Sequence, residues 1–262
     1  MEMILLKTNF HTHCKRCRHA FGTESDYVKF AVNQGLEQLG FSDHAPFPNF
    51  DFGNRMPFRE LPEYLSAVDQ LKDQYDNIQI FKGLEIEYLP MYNYYYPELF
   101  EKYKVEYLIL GEHWYMLPIG EIRNIYEAES TEDYIDYAKA ICKGIETGWF
   151  SFVAHPDLMF INHFAWDDNC EEACERIIEC ADRNNAILEF NANGYRRLQE
   201  KFPDGKRYPY PHMKFWDMVK TTNIRVIIGS DCHAPHQIFD PKVELAYKTV
   251  KELGLNLIET IF

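Results

Sequence analysis

The sequence predicts an α/β fold, a distorted (β/α) barrel of seven strands with its functional residues at the C-terminal ends of the strands. Short apolar runs alternate with longer stretches of helical periodicity along the 262 residues, the pattern of parallel βα units. Nearly every apolar run leads directly into a phrase of His, Asp or Glu: His11-Thr12-His13, Ser42-Asp43-His44, Gly83-Leu84-Glu85-Ile86-Glu87, Gly111-Glu112-His113, His155-Pro156-Asp157 and Ser230-Asp231-Cys232-His233. A ligand type at almost every strand end is barrel behaviour, whereas an open doubly wound sheet gathers its ligands at one switch point.

The strands are expected near residues 4–10, 37–42, 78–86, 105–111, 151–154, 186–191 and 225–230. Between them, five apolar stripes recur at or near i, i+3, i+4, i+7 spacing. They run through Val28, Ala31, Val32, Gly35 and Leu39; Leu61, Tyr64, Leu65, Val68, Leu71 and Tyr75, with Pro62 tolerable in a first turn; Tyr134, Ala138, Ile141, Cys142 and Ile145; Cys170, Cys174, Ile177, Ile178 and Ala181; and Val243, Ala246, Tyr247 and Val250. The aromatic segment 89–104, with Pro90 and Pro97, reads equally as a loop over the site mouth or as a cap on the apolar side of a neighbouring helix.

Length and composition suit one domain over residues 1–262: 46% of residues are hydrophobic and 26% charged, ordinary values for a globular protein. No apolar run approaches the roughly 20 residues of a membrane span, and Met1–Lys7 has no basic n-region or small-residue cleavage site. A formal charge of −14 argues against nucleic acid, which needs clustered Lys and Arg. It leaves a phosphorylated small molecule open, because bound divalent cations reverse the local field. The seven cysteines are odd in number and fit no disulfide framework, so a reducing, cytoplasmic setting is expected. Cys14-Lys15-Arg16-Cys17 lacks the second CxxC of a zinc site and reads as ordinary thiols.

His11 and His13 stand two apart on a strand, so both point to one side and can grip one cation. Glu85, His113, His155 and Asp231 supply donors for a second site, one carboxylate bridging, and His19, His44 and His233 for a third. Imidazole and carboxylate suit zinc, manganese or iron. One HxH or one strand-end His is weak evidence; seven of ten histidines in one pattern are not.

The ordered set HxH, SDH, GLE, GEH, HPD and SDCH resembles the polymerase-and-histidinol-phosphatase (PHP) family over essentially the whole chain. Within it, Cys17-Arg18-His19-Ala20, Phe41-Ser42-Asp43-His44-Ala45-Pro46, Gly83–Glu87 and Asn191-Ala192-Asn193-Gly194-Tyr195-Arg196 resemble the stand-alone histidinol-phosphatase branch. The resemblance implies a distorted seven-stranded barrel and three divalent metals. The first would take His11, His13, Glu85 and Asp231; the second Glu85, His113 and His155; the third His19, His44 and His233. It further implies hydrolysis of L-histidinol phosphate in histidine biosynthesis. The chain departs from common family wording at Ala192-Asn193 and in placing Glu112 before His113, which bears on substrate contacts and not on the metals.

Paired metals generate a nucleophile from water and offset phosphoryl charge, which makes Glu85 the expected bridging ligand and Asp231 the expected proton acceptor. Arg196 and Arg197 after the sixth strand, and Arg16 and Arg18 after the first, are the phosphate candidates, Arg196 matching the family position. Asp43, Glu87, Glu112 and Asp157 are candidates for a cationic leaving group, and Phe21, Trp114 and Tyr195 for its ring. Three alternatives stay open: a nucleotide or bisphosphate phosphoesterase of the same family, a C–N hydrolase on a similar barrel, and a non-catalytic metal-binding module.

Overall fold

The computed structural model describes residues 7–262. Ile4–Leu6, the expected start of the first strand, lie outside the described residues. In chain order the elements are β1 (Thr8–Asn9), α1 (Glu24–Gln34), β2 (Gln38–Phe41), α2 (Leu61–Gln74), β3 (Gln79–Ile86), α3 (Tyr95–Glu101), β4 (Tyr107–Leu110), the hairpin β5 (Trp114–Met116) and β6 (Ile122–Asn124), α4 (Glu132–Glu146), β7 (Phe152–Val153), α5 (Asp168–Arg183), β8 (Leu188–Asn191), the hairpin β9 (Glu200–Phe202) and β10 (Gly205–Arg207), α6 (Met213–Val219), β11 (Arg225–Gly229), α7 (Pro241–Leu253) and β12 (Asn256–Leu257).

The seven expected strands form one parallel sheet in the order β1-β2-β3-β4-β7-β8-β11, and an eighth, two-residue strand, β12, follows β11. The curled sheet meets itself where the ligand phrases lie. Thr12 bridges Cys232 in parallel, and His13 N–H donates to the Cys232 carbonyl at 3.1 Å. At the other end the Thr8 hydroxyl donates to the Glu259 carbonyl, so the C-terminal segment fills the gap between the last strand and the first.

Strand alternation sorts the side chains into two cores. Leu84, Ile86, Leu108, Leu110, Leu188, Phe190, Val226 and Ile228 join the helices in the larger one. The alternate positions Tyr107, Ile109, Ile187 and Ile227 join Phe10, Phe152 and Ala154 in a separate inner cluster, against which Phe81, Ile258 and Ile261 pack. Phe262 stacks on Phe81 at 4.1 Å, closing the floor of the barrel. The same inward columns change chemistry as they rise: Phe81 gives way to Glu85, Ile187 to Glu189, and Ile227 to Asp231. Two glycines make room for this. A Cβ on Gly111 would stand 2.2 Å from Glu85 Oε1, and one on Gly229 would stand 1.6 Å from Glu189 Oε1.

The five stripes fall on α1, α2, α4, α5 and α7, with two overshoots: Tyr75 is the residue after α2, and the first stripe runs past α1. Helix α1 stops at Gln34 because Gly35 takes a left-handed conformation, φ 76°, and Leu39 already belongs to β2. At the other end Thr23 and Asp26 form a capping box,. Segment 89–104 is a buried cap. The Tyr96 hydroxyl donates to the Glu87 carbonyl at 2.8 Å, that of Tyr95 to the Pro46 carbonyl at 2.9 Å, and Tyr96 stacks on Trp149 at 4.8 Å.

Candidate metal centre

The strand ends bring all nine expected metal donors together. Glu85 lies within β3; His11 and His13 follow β1, His44 follows β2, His113 follows β4, His155 follows β7, and Asp231 and His233 follow β11. A parallel bridge joins His44 to Glu85. His19, on the loop after β1, reaches the cluster through His233, Nε2 to Nε2 at 2.9 Å.

Donor separations around the first strand end are those of ligands on one ion. His11 Nε2 and His13 Nε2 are 3.1 Å apart. His11 Nε2 lies 3.5 Å from Glu85 Oε1 and 3.6 Å from Asp231 Oδ1, and His13 Nε2 lies 3.4 Å from Glu85 Oε2 and 3.1 Å from Asp231 Oδ1. A tetrahedron about a zinc-like ion with bonds of about 2.05 Å has edges of about 3.3 Å. Next to this set, His155 Nε2 stands 2.9 Å and His113 Nε2 3.8 Å from Glu85 Oε1. His44 Nδ1 stands 2.8 Å from Glu85 Oε2, outside hydrogen-bonding geometry. The sets overlap, since the donors of His13, His44 and His233 also lie within 4.8 Å of one another. Cys17 joins His19 and His233 in a further set of that kind, although its spacing suggested only an ordinary thiol.

The rings of His11, His19 and His233 are held through Nδ1, which leaves Nε2 facing the cluster; among the described residues Nδ1 of His13 and of His155 has no hydrogen-bond partner. His11 Nδ1 meets Glu189 Oε1 at 2.6 Å, His113 Nδ1 meets Glu87 Oε1 at 3.4 Å, and His13 Nδ1 meets Asp43 Oδ1 at 3.6 Å. Nδ1 of His19 and of His233 face the carbonyls of Cys17 and Asp231, at 2.9 and 3.2 Å. With Nδ1–H donating to those carbonyls, two Nε2 lone pairs confront each other at 2.9 Å, which repels unless a cation lies between them. Carboxylate or carbonyl partners on Nδ1 are the usual support of a metal-ligating histidine. The donor set therefore fits divalent metal ions.

Glu189 was missed by the sequence reading. Fully buried, it also accepts from the His155 backbone N–H at 2.9 Å and from Asn191 Nδ2 at 2.8 Å. The available signal was a lone acid inside the apolar run Ile187–Phe190, since Glu is almost never fully buried without a partner.

Charge is distributed as a cation-seeking site requires. Burial works against ionising Glu85 and Asp231, yet the surrounding imidazoles outweigh it and hold both carboxylates well below the usual range. Burial likewise opposes charge on His11 and His13, but Glu189, Asp231 and Glu85 raise His11, and Asp231, Asp43 and Glu85 raise His13 to about 9. At the outer edge burial prevails and lowers His44 and His233 to about 3. His155 and Asp231 both adopt left-handed backbone, φ 30° and 45°, local strain of the kind that collects at functional sites.

Above the cluster opens a cleft of about 280 Å³ lined by Glu85, His113, His155, Asp231, Tyr126 and Arg197. An adjoining outer lobe of about 410 Å³ shares His19, His44, His113, Tyr126 and Arg197 and adds Phe52, Gly53, Asn54, Arg55, Trp114 and Asn124. Arg197 is exposed, its guanidinium lying 5.7 Å from the Tyr210 ring. Arg196 also borders the cleft, but its donors go to Asp240, Ser230 O and Gln237 O. Arg16 is tied to Glu24 and Glu63 and Arg18 lies 3.4 Å from Asp51; neither lines the cleft.

The acids nominated for a cationic leaving group do not face the cleft. All four are buried. Asp43 accepts from the Cys14 thiol and the His44 N–H, Glu87 from Arg55, Glu112 from the Tyr88 N–H, and Asp157 from Trp216 Nε1 and the His212 N–H. Of the aromatic candidates only Trp114 reaches the site, on the wall of the outer lobe. Phe21 projects to solvent, and Tyr195 is buried with its hydroxyl on Thr249.

Fold and site together define a parallel (β/α)-barrel protein whose strand ends gather a cluster of donors suited to divalent metal. The family model of the PHP domain matches residues 9–193, and the chain belongs to that family. A protein of Deinococcus radiodurans named as a probable histidinol-phosphatase is 26% identical over 254 residues, covering 93% of this chain and 92% of its own length. A Schizosaccharomyces pombe protein of the same name is 24% identical, covering 87% of this chain and 81% of its own. Among solved structures, histidinol phosphate phosphatase of Lactococcus lactis, crystallised with zinc, L-histidinol and phosphate, superposes with a TM-score of 0.70 at 18% identity. That match covers 97% of this chain and 96% of that one.

Proposed function

We propose that the protein is a metal-dependent phosphomonoesterase that hydrolyses L-histidinol phosphate to L-histidinol and phosphate, a step of histidine biosynthesis. The observation that carries the chemistry is the nine-donor cluster at the floor of a cleft with the exposed Arg197 at its wall. The names of the relatives carry the choice of ester.

His11, His13, Glu85 and Asp231 would hold one divalent ion, Glu85, His113 and His155 a second, and His19, His44 and His233 a third; zinc, manganese and iron all suit these donors. Ions in such sites supply Lewis acidity, making water nucleophilic near neutral pH and offsetting phosphoryl charge. The chain's own residues do the rest. Glu189 fixes the ring of His11, and Glu87 and Asp43 lie beside Nδ1 of His113 and His13 at 3.4 and 3.6 Å. Asn191 and Asn193 hold Asp231 Oδ2 at 3.2 and 3.1 Å, leaving Oδ1 turned to the cluster, where we assign it the proton of the attacking water. Arg197 binds the phosphoryl oxygens, the natural task of an unpaired guanidinium.

The leaving alcohol extends into the outer lobe, between the rings of Phe52 and Trp114 and the amides of Asn54 and Asn124. Strands from residue 8 to residue 257 join one sheet, which supports reading the chain as one barrel domain. All seven cysteines are free thiols, which supports a reducing, cytoplasmic setting.

The test is phosphate release from L-histidinol phosphate by protein of assayed metal content, before and after chelation. Metal-dependent turnover with kcat/KM above about 10⁴ M⁻¹s⁻¹, the low end for enzymes, is expected. Asp231→Asn should lower kcat by orders of magnitude, and activity within tenfold of wild type would remove its assigned role. Metal-loaded protein that leaves this ester intact but cleaves nucleotide phosphoesters would overturn the substrate.

A further inference from the structure

Arg55 is 4% exposed, and none of the roles above uses it, although it borders the outer lobe. Its fork grips Glu87 twice, Nη2 to Oε1 at 2.9 Å and Nη1 to Oε2 at 3.0 Å. Nη1 also donates to the Ala45 carbonyl at 3.0 Å and Nε to the Gly53 carbonyl at 3.1 Å. The rings of Phe47 and Phe52 lie 5.8 and 5.3 Å from the guanidinium carbon. Each anchored group belongs to something functional. Glu87 orients His113 through Nδ1, Ala45 follows His44, and Gly53 sits between Phe52 and Asn54 on the wall of the outer lobe.

A buried Arg–Glu pair brings little net stability over an apolar pair of similar volume, so stability alone does not call for it here. A carboxylate on a ligand histidine needs no guanidinium either; carbonyls serve elsewhere in this site. What the planar fork provides, and a Lys ammonium cannot, is several fixed directions at once.

We infer that Arg55 is a positioning residue that couples metal ligation to leaving-group recognition: it locks the ring of His113, the backbone beside His44 and the Phe52–Asn54 wall into one unit. Affinity for the ion at His113 and discrimination by the outer lobe should then change together. The inference rests on the reading of His113 as a metal ligand and on the proposed ester.

Two variants test it, Arg55→Lys and Arg55→Gln, both of which leave Glu87 in place, each checked for folding by circular dichroism and thermal unfolding. Zinc affinity is read by competition with a chromogenic chelator. Selectivity is the ratio of kcat/KM for L-histidinol phosphate to that for glycerol 2-phosphate, which is too compact to fill the outer lobe. The expected result is loosening of the weakest-held ion by about 10–100-fold, the usual effect of losing a ligand's support, with the selectivity ratio falling at least severalfold in the same variants. Folded variants with wild-type zinc affinity and wild-type selectivity, whatever their thermal stability, would overturn the coupling. So would a change in one property alone. If Arg55→Lys does not fold, Arg55→Gln decides. Wild-type protein that binds zinc but cleaves neither ester refutes the proposed substrate, and with it leaving-group recognition and the coupling; wild-type protein that binds no zinc overturns both readings.

Discussion

Among the described residues Arg197 has no carboxylate within ion-pair distance, whereas Arg196, one position earlier, has four of its five N–H groups committed to Asp240, Gln237 and Ser230. A guanidinium without a partner is free to take two phosphate oxygens in parallel; one already satisfied would have to break bonds to do so. Arg197→Ala is therefore expected to raise KM or lower kcat/KM at least tenfold, and Arg18→Ala to leave both within twofold, in steady-state assays on the same ester. Equal effects of the two would show that proximity to the cluster is not what selects the phosphate contact. Gly229 works at the same scale. Gly229→Ala would drive a Cβ into Glu189 and turn His11 out of position, with loss of bound metal in the assayed protein as the sign.

At the scale of elements, Asp240 joins helix to site. Its Oδ1 caps α7 through the Lys242 and Val243 N–H groups, both at 3.0 Å, and its carboxylate holds Arg196, which in turn holds the residue before Asp231. Asp240→Ala should lose about 1 kcal/mol from the cap alone, more with Arg196 unpaired, and should lower kcat as well; urea unfolding and turnover measured together check both.

The β9–β10 hairpin is joined to α6 by His212, whose Nε2 lies 3.1 Å from Asp204 Oδ2 and whose ring packs beside the stacked rings of Phe160 and Trp166. Burial first, then Arg207, lowers its pKa to about 4, against about 6.5 in the unfolded chain. Between these values the unfolded state binds the extra proton, so this group's stabilisation is present above pH 6.5 and lost as pH falls through about 4. The urea midpoint of wild type should therefore drop more steeply over that range than that of His212→Asn. Parallel profiles would remove His212 as the cause.

For the whole molecule, the cluster at the barrel mouth makes stability depend on bound ions. The donors come from both ends of the chain, from His11 to His233, and the two sheet edges meet beside them at Thr12 and Cys232. An ion held there joins the first strand to the last and removes the confrontation of His19 with His233. An ion at a hundredfold excess over its Kd adds about 2.7 kcal/mol, which for a chain of this size is several degrees in Tm. Chelation should lower Tm by at least that amount, and zinc or manganese should restore it in a concentration-dependent way. A Tm indifferent to chelation would mean the cluster holds no ion in solution.

The parallel βα plan, the five main helices and the strand-end donors are legible in the sequence, because each is encoded locally. Period-2 and period-3.6 apolar patterns mark the elements, and a ligand phrase just after a strand has only one end of the sheet to occupy. Tertiary structure decided what depends on residues far apart. It made Glu189 a support for His11 across 178 positions of chain, turned Asp43, Glu87, Glu112 and Asp157 inward, and spent Arg16 and Arg196 on neighbours while leaving Arg197 open. It also used the C-terminal Phe262 to floor the barrel. The physical reason is that a charged side chain is defined by its partner: whether it binds a substrate or satisfies a buried group depends on which opposite charge the fold brings within about 3 Å.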